Sequence, residues 1–268
     1  MARTVLLTGT SSGVGEAAVN AFLADGWNVI ATARNPASIL AGTENAQLLK
    51  ARLDLTDNAS IEAAFEAGAQ RFGAIDVVVN NAGIGLGGPL EGVSLDQLRE
   101  HFEVNVIGVA AVCRAAAAHM RPRRQGLIIN VSSLAGRIGL PYLSPYSASK
   151  FAVEGLTEAL YYELRPFGLR VKVIEPGGAR TRFSHLWGDH PAYEPVAGEV
   201  RKKLEQGSEK ASPPERVAEV ILTAAKDSRD RLRYPATDAA SGLRMNRLLP
   251  GWAWRKIMAK GFGLDLGN

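Results

Sequence analysis

Tyr146 and Lys150 stand four residues apart in the run Tyr146-Ser147-Ala148-Ser149-Lys150, and Ser133 lies thirteen residues upstream in Asn130-Val131-Ser132-Ser133. Residues four apart on a helix share a face, because about 3.6 residues complete a turn. A free phenol has a pKa of about 10 and exchanges protons poorly at neutral pH. An ammonium about 4 Å away, at an effective dielectric of about 20, would interact with the phenolate by about 4 kcal/mol, or about 3 pKa units. That would bring a tyrosine near working pH, where general acid–base catalysis is most effective. A surface tyrosine and lysine on an ordinary helix would show the same spacing, so the rest of the chain has to decide.

A second chemical element precedes it. Thr8-Gly9-Thr10-Ser11-Ser12-Gly13-Val14-Gly15 joins a strand-like run to a helical one. Glycine lets the backbone turn sharply and approach a ligand, and a helix N-terminus then offers free amides to a pyrophosphate. Gly9, Ser11, Ser12, Gly13, Val14 and Gly15 are therefore candidate dinucleotide-binding residues, with a spacing different from G-x-G-x-x-G. NAD-binding folds commonly place an acid at the end of the second strand, to accept from the ribose 2′-hydroxyl. Here the chain reads Ala31-Thr32-Ala33-Arg34. A guanidinium pairs with a 2′-phosphate, so Arg34 favours NADP(H) over NAD(H).

The elements that must position these groups alternate. Strand-like runs fall at 4–8, 28–32, 46–52, 76–80, 126–131 and 170–175, with a seventh near 232–234. Helical stretches fall at 14–25, 60–72, 94–121, 147–167 and 214–226. This alternation predicts an α/β fold with a parallel sheet of about seven strands covered on both faces. Pro122 helps close the long middle helix. With 268 residues and 46% hydrophobic content the chain can bury one sizeable core. We expect a single dinucleotide-binding and catalytic domain over 1–268. The weakly patterned 181–212, with Phe183, Trp187 and Tyr193, would be its substrate loop, and 237–268 a C-terminal helical extension.

Composition removes several classes. The net charge is only +4, and the basic residues near the end (Arg229, Arg231, Arg233, Arg244, Arg247, Arg255, Lys256 and Lys260) read as a solvated face without nucleic acid. One cysteine, Cys113, excludes an internal disulfide and reads as a buried small hydrophobe. His101, His119, His185 and His190 show no metal-ligand spacing, so no metal site is expected. No apolar run reaches the ~20 residues of a membrane span and no signal-peptide pattern opens the chain, which points to a cytoplasmic protein.

Taken together, these segments resemble the short-chain dehydrogenase/reductase family, in its short single-domain branch. The likeness runs from about residue 4 to 181. It includes the Thr8-to-Gly15 turn, Asp54, Asn80-Asn81-Ala82-Gly83, Asn105, Ser133, Tyr146 with Lys150, and Pro176-Gly177 followed by Thr181. The resemblance implies a three-layer, doubly wound Rossmann fold. By the same resemblance Tyr146 is the proton donor to a carbonyl or the acceptor from an alcohol, Ser133 hydrogen-bonds the reacting oxygen, and Lys150 holds the nicotinamide ribose and depresses the tyrosine pKa. Asn105 would retain a water in a proton relay, although a mid-helix Asn could also only back-bond or cap a break. Asp54 and Leu55 would contact adenine, Asp54 capping the next turn as an alternative or in addition. Asn81, Ala82 and Gly83 would lie beside the ribose, and Pro176, Gly177 and Thr181 against the carboxamide.

The expected function is hydride transfer between NADP(H) and a small-molecule carbonyl or alcohol, apolar or extended in view of Leu140, Pro141, Tyr142, Leu143 and the loop aromatics. The alternative is an NADPH-sensing regulator, against which the intact Ser–Tyr–Lys set speaks. Sugar epimerisation is disfavoured by length. The family implies a homodimer or homotetramer, with 94–121 and 147–167 as the contact surface. The tail after Tyr234 departs from many tetrameric relatives and looks more like hydroxysteroid- and retinol-dehydrogenase-like ones. It is ranked first as a pocket shield, second as an ordinary helix and last as a membrane contact.

Overall fold

All five residues of β1 (Thr4–Thr8) are buried, as expected of a central strand in a sheet covered on both sides. The computed structural model describes residues 2–181, 183 and 185–265. After β1 come α1 (Gly13–Ala24), β2 (Asn28–Ala33), β3 (Leu48–Arg52), α2 (Asn58–Phe72), β4 (Val77–Asn80), β5 (Gly85–Gly87) and α3 (Leu95–Phe102). A π turn (Glu103–Gly108) leads into α4 (Val109–Met120), β6 (Gly126–Val131), α5 (Ser144–Leu164), β7 (Leu169–Pro176) and β8 (His185–Trp187). The chain continues with α6 (Val196–Glu209), α7 (Pro214–Lys226), β9 (Arg233–Ala236), α8 (Ala239–Leu248) and α9 (Gly251–Phe262).

Seven strands form one parallel sheet in the order β3-β2-β1-β4-β6-β7-β9. Because successive side chains point to opposite faces, this sheet has two cores. Val5, Leu7, Val29, Val77 and Leu127 pack with Phe22 of α1 and Ile221 of α7 on one side. Leu6, Ile30, Val78, Ile128 and Val171 pack with Phe65 of α2, Val112 of α4 and Leu164 of α5 on the other. Cys113 is buried in this second core. The chain runs outward from β1 through β2 to β3, then returns to lay β4 on the other side of β1. That reversal opens a crevice beyond the carboxyl ends of β1 and β4, the usual ligand position in such sheets.

Two expectations are corrected. The helix expected over 94–121 is interrupted by the π turn, and Pro122 lies inside a terminal 3-10 turn, Arg121–Arg123. By length and composition the rod Leu95–Arg123 could cross a membrane, yet α4 packs against α2 and α5 as part of the helical layer. The stretch 181–212, outside Arg182 and Ser184, which are not among the described residues, is not all loop. β8 pairs in parallel with β5, and α6 follows. The periodicity of α6 is faint because only Ala197 and Val200 of its fourteen residues are buried. The tail, expected as a helical extension, forms two helices, α8 and α9; residues 266–268 lie outside the description.

Candidate active site

α5 carries Tyr146 and Lys150 on one face, as their spacing requires, and β6 delivers Ser133 just past its carboxyl end. Ser133 opens a 3-10 turn in which its Oγ accepts from the Ala135 amide at 3.1 Å. The Tyr146 hydroxyl shares a hydrogen bond with Ser133. The buried Lys150 donates from Nζ to the Val131 carbonyl at 3.1 Å and lies 5.9 Å from the centre of the Tyr146 ring. The structure thus brings Ser133, Tyr146 and Lys150 together.

It also corrects the electrostatic expectation. Burial pushes the Tyr146 phenol above its ordinary pKa, and the bond from Ser133 only partly offsets this. The ammonium is itself desolvated. Burial pulls Lys150 down to about 8, and Glu154, one turn further along α5, works in the opposite direction. A pairwise Coulomb sum overlooks this, because removing both groups from water disfavours both charged forms.

Asn105 sits in the π turn, fully buried. Its Nδ2 donates to the Ile84 carbonyl at 2.8 Å and its Oδ1 accepts from the Ile84 amide at 2.9 Å. The same Nδ2 reaches His101 Nε2 at 3.2 Å and Ser149 Oγ at 3.3 Å. His101 Nε2 also lies 3.0 Å from Ser149 Oγ, so the ring nitrogen, the amide and the hydroxyl meet at one point. Burial drives the His101 pKa down to about 4. Ser149 closes the set by donating to the Tyr146 carbonyl at 2.8 Å. A Cβ added at Gly83 would meet Asn105 Oδ1 at 3.2 Å and Lys150 Nζ at 3.7 Å, so both polar groups face this one glycine.

At the glycine-rich turn, Gly9 and Gly13 have φ of +69° and +60°, a region that favours glycine. A Cβ on Gly15 would lie 2.1 Å from the Gly9 carbonyl oxygen and 2.7 Å from Asn81 Nδ2. Asn81 donates to the carbonyls of Thr8 and Gly9 at 3.0 and 3.1 Å, while Thr8 Oγ1 accepts from the amides of Asn81 and Ala82. This ties the ends of β1 and β4 into one rim. Ser12 is the N-cap of α1 but makes no side-chain cap bond, which leaves the first amides of the helix, beside Ser11 and Val14, for a ligand. Thr181 closes over Gly13, where a Cβ would be 3.1 Å away.

Arg34 is exposed at the end of β2, close enough to Asp54 for its charge to help hold that carboxyl below the usual range, after the two bonds from Thr56. Asp54 Oδ1 accepts from the Thr56 amide and hydroxyl at 3.0 and 2.9 Å. The cap of α2 is Asp57 rather than Asp54. Leu55 is buried against Gly108. Past Pro176, the Gly177 amide donates to Thr237 Oγ1 at 3.1 Å, and Asp238 Oδ1 accepts from Gly178 at 2.9 Å.

Three features escaped the sequence reading. His185 and Phe183 crowd Tyr146, with ring centres 5.2 and 5.9 Å away, and burial holds His185 neutral, at about 4. His101 could have been found, since it stands one turn before Asn105 on the same helix face. Beneath Lys150 lies a layer of charge. Arg137 pairs with the buried Glu175 at 2.7 Å, and Arg233 reaches Glu154, Glu175 and Glu158 at 3.3, 3.4 and 2.7 Å. Burial, with Glu175 adding to it, pushes Glu154 up to about 7 against the opposing pull of Ser132, Arg233 and Arg137. No local spacing announces this layer.

A profile of the short chain dehydrogenase family matches residues 3–191. The chain belongs to the short-chain dehydrogenase/reductase family. The chain is 36% identical over 276 residues to the oxidoreductase YusZ of Bacillus subtilis, covering 96% of this chain and 98% of that protein. It is 34% identical over 279 residues to human 17-beta-hydroxysteroid dehydrogenase type 1, covering 92% of this chain and 82% of that one. A short-chain dehydrogenase from Streptomyces avermitilis superposes with a TM-score of 0.83 at 33% identity, over 96% of this chain and 98% of that one. All seven strands of this chain's main sheet run in the sense expected of this fold.

Proposed function

We propose that this chain interconverts a carbonyl and the corresponding alcohol using NADP(H), with Tyr146 transferring the proton. The observation that carries the reading is the hydrogen bond between Ser133 and Tyr146 beside a buried Lys150, at the carboxyl edge of the sheet. The residues present fit a dinucleotide. The uncapped α1, the left-handed glycines and the rim of Thr8 and Asn81 form a cradle that side chains would fill. Gly9, Ser11, Ser12, Gly13, Val14 and Gly15 would hold the phosphates, Asp54 and Leu55 the adenine, Asn81, Ala82 and Gly83 the ribose, and Pro176, Gly177 and Thr181 the carboxamide. Arg34, with no acid replacing it at the end of β2, selects the 2′-phosphate.

The bound nicotinamide supplies or accepts the hydride. Tyr146 gives its proton to the oxygen of the carbonyl as that oxygen becomes an alcohol. The raised phenol pKa keeps this donor loaded at neutral pH, which suits reduction. Ser133 Oγ donates to the same oxygen and steadies its growing charge. Lys150 grips the ribose hydroxyls and, with Asn105 facing the same glycine, refills Tyr146 by way of a retained water. Phe183 beside the phenol, with Leu140 and Leu143 in the turn before α5, favours an apolar or extended substrate. Exposed Ile107, Phe151 and Tyr162 on the α3–α4 rod and α5 support pairing of subunits through those helices.

A panel of aldehydes and ketones, followed by NADPH consumption, tests the reading. Tyr146→Phe should bind NADPH normally and lose at least about 100-fold in kcat. A variant that kept most of its rate would remove Tyr146 from proton transfer. Binding of NADPH without consumption on any carbonyl would favour the sensing alternative.

A further inference from the structure

Outside the site, α8 and α9 form a hairpin that is both apolar and cationic on its outer side. Leu248 is 76% exposed and Trp252 63%, with Met245 and Ile257 also in solvent. Among them stand Arg244, Arg247, Arg255, Lys256 and Lys260, all exposed, and no Asp or Glu occurs between residues 239 and 264. Lys256 Nζ lies 5.9 Å over the Trp252 ring. The inner side is covered: Trp254, Met258 and Ala259 line a cleft with Ile138, Leu140 and Pro141. The hairpin is therefore anchored to the turn leading into α5 and turns a leucine and a tryptophan outward at its bend.

Such a face is normally covered by something. A twofold contact with a second copy would set this patch against itself, five cations against five. An acidic bilayer surface instead neutralises the cations while Leu248 and Trp252 enter the boundary between headgroups and acyl chains, where tryptophan is favoured. We infer that the α8–α9 hairpin seats the protein on anionic lipid surfaces. The sequence alone ranks lipid contact last. The structure reverses that ranking by turning the apolar residues outward. This docking does not rest on the proposed reaction.

The test is cosedimentation of the full chain with vesicles of phosphatidylcholine alone and of equal parts phosphatidylcholine and phosphatidylserine, at low and high salt. Binding is expected to the acidic vesicles only, and to weaken with salt. Each cation near the surface contributes about fivefold, so Arg255→Gln with Lys256→Gln should weaken partitioning about 25-fold. Leu248→Ser with Trp252→Ser should weaken it at least about tenfold. Brominated lipid should quench the fluorescence of the parent and quench it less in Trp252→Phe. Thermal melting of each variant shows whether it has kept its fold. Equal binding to both vesicle types, no binding to either, or indifference to both double variants overturns the inference. So does a light-scattering mass that falls in Leu248→Ser with Trp252→Ser while the parent ignores vesicles, because a second copy then covers the face.

Discussion

Replacing Glu154 by Gln should move the alkaline limb of the reductive pH profile. Glu154 stands four residues after Lys150 on α5, a spacing that places Cβ atoms about 5–6 Å apart. Unit charges about 6 Å apart, at an effective dielectric of about 20, interact by about 3 kcal/mol, or about 2 pKa units. Lys150 titrates at about 8 with this carboxylate present, so losing it draws the ammonium toward neutrality and discharges it at lower pH. Because Glu154 sits at about 7, it is mostly ionised where Lys150 discharges, and the displacement of the limb should be about 2 units. The assay is kcat/KM for carbonyl reduction against pH in parent and variant. Thermal unfolding serves as the structural control. The folded pKa of Glu154 lies above its unfolded value, so between the two the folded chain holds more protons. Its contribution to stability is therefore present at low pH and lost as pH rises through about 7. Glu154→Gln should gain stability relative to the parent between pH 5 and pH 8, about the interval this titration spans. Overlapping kcat/KM profiles for parent and variant would refute the proposed support of Lys150 by Glu154.

Arg34→Ala should weaken NADPH binding about 10- to 100-fold, the worth of a charged hydrogen bond, and leave NADH binding nearly unchanged; titration calorimetry with both cofactors decides, and equal losses would remove Arg34 from the 2′-phosphate. Gly15→Ala should abolish cofactor binding and cost about 1–3 kcal/mol of stability, since its Cβ would stand 2.1 Å from a backbone oxygen. Gly155→Ala, on an open part of α5 with nothing within 4 Å, should be neutral or stabilising in the same melts. His101 stays neutral down to about 4 in the fold but protonates near about 6.5 when unfolded. Stability should therefore fall on acidification across that window, by up to about 3 kcal/mol, and His101→Gln should flatten the slope seen in urea titrations at successive pH values.

Much of this was legible because strands here are short apolar runs bounded by glycine and polar residues. β1 and β6 fall where the pattern puts them, and α7 is delimited by Pro214 and Lys226 as expected. The Ser133–Tyr146–Lys150 trio was legible because its geometry is local: Tyr146 and Lys150 are helix neighbours, and Ser133 lies just past the end of β6. What escaped depends on partners distant in sequence. β5, reading Gly85-Leu86-Gly87, is a strand only because β8 lies beside it. The π turn is stabilised by Asn105 reaching across to Ile84, and Glu154 meets Arg233 from the far end of the chain. The pKa of Tyr146 was misjudged for a related reason: charge separation can be read from spacing, but desolvation depends on everything packed around the pair.

Arg233 gives the C-terminal third an obligation to the rest of the molecule. It opens the outermost strand, yet its guanidinium is counterion to Glu154 and Glu175, the former directly downstream of the lysine at the cleft. A chain ended before β9 would keep the glycine-rich turn and the Ser–Tyr–Lys trio while taking from two interior carboxyl groups a counterion that both share. Shortened versions of this protein should therefore fail from within, at the floor of the cleft.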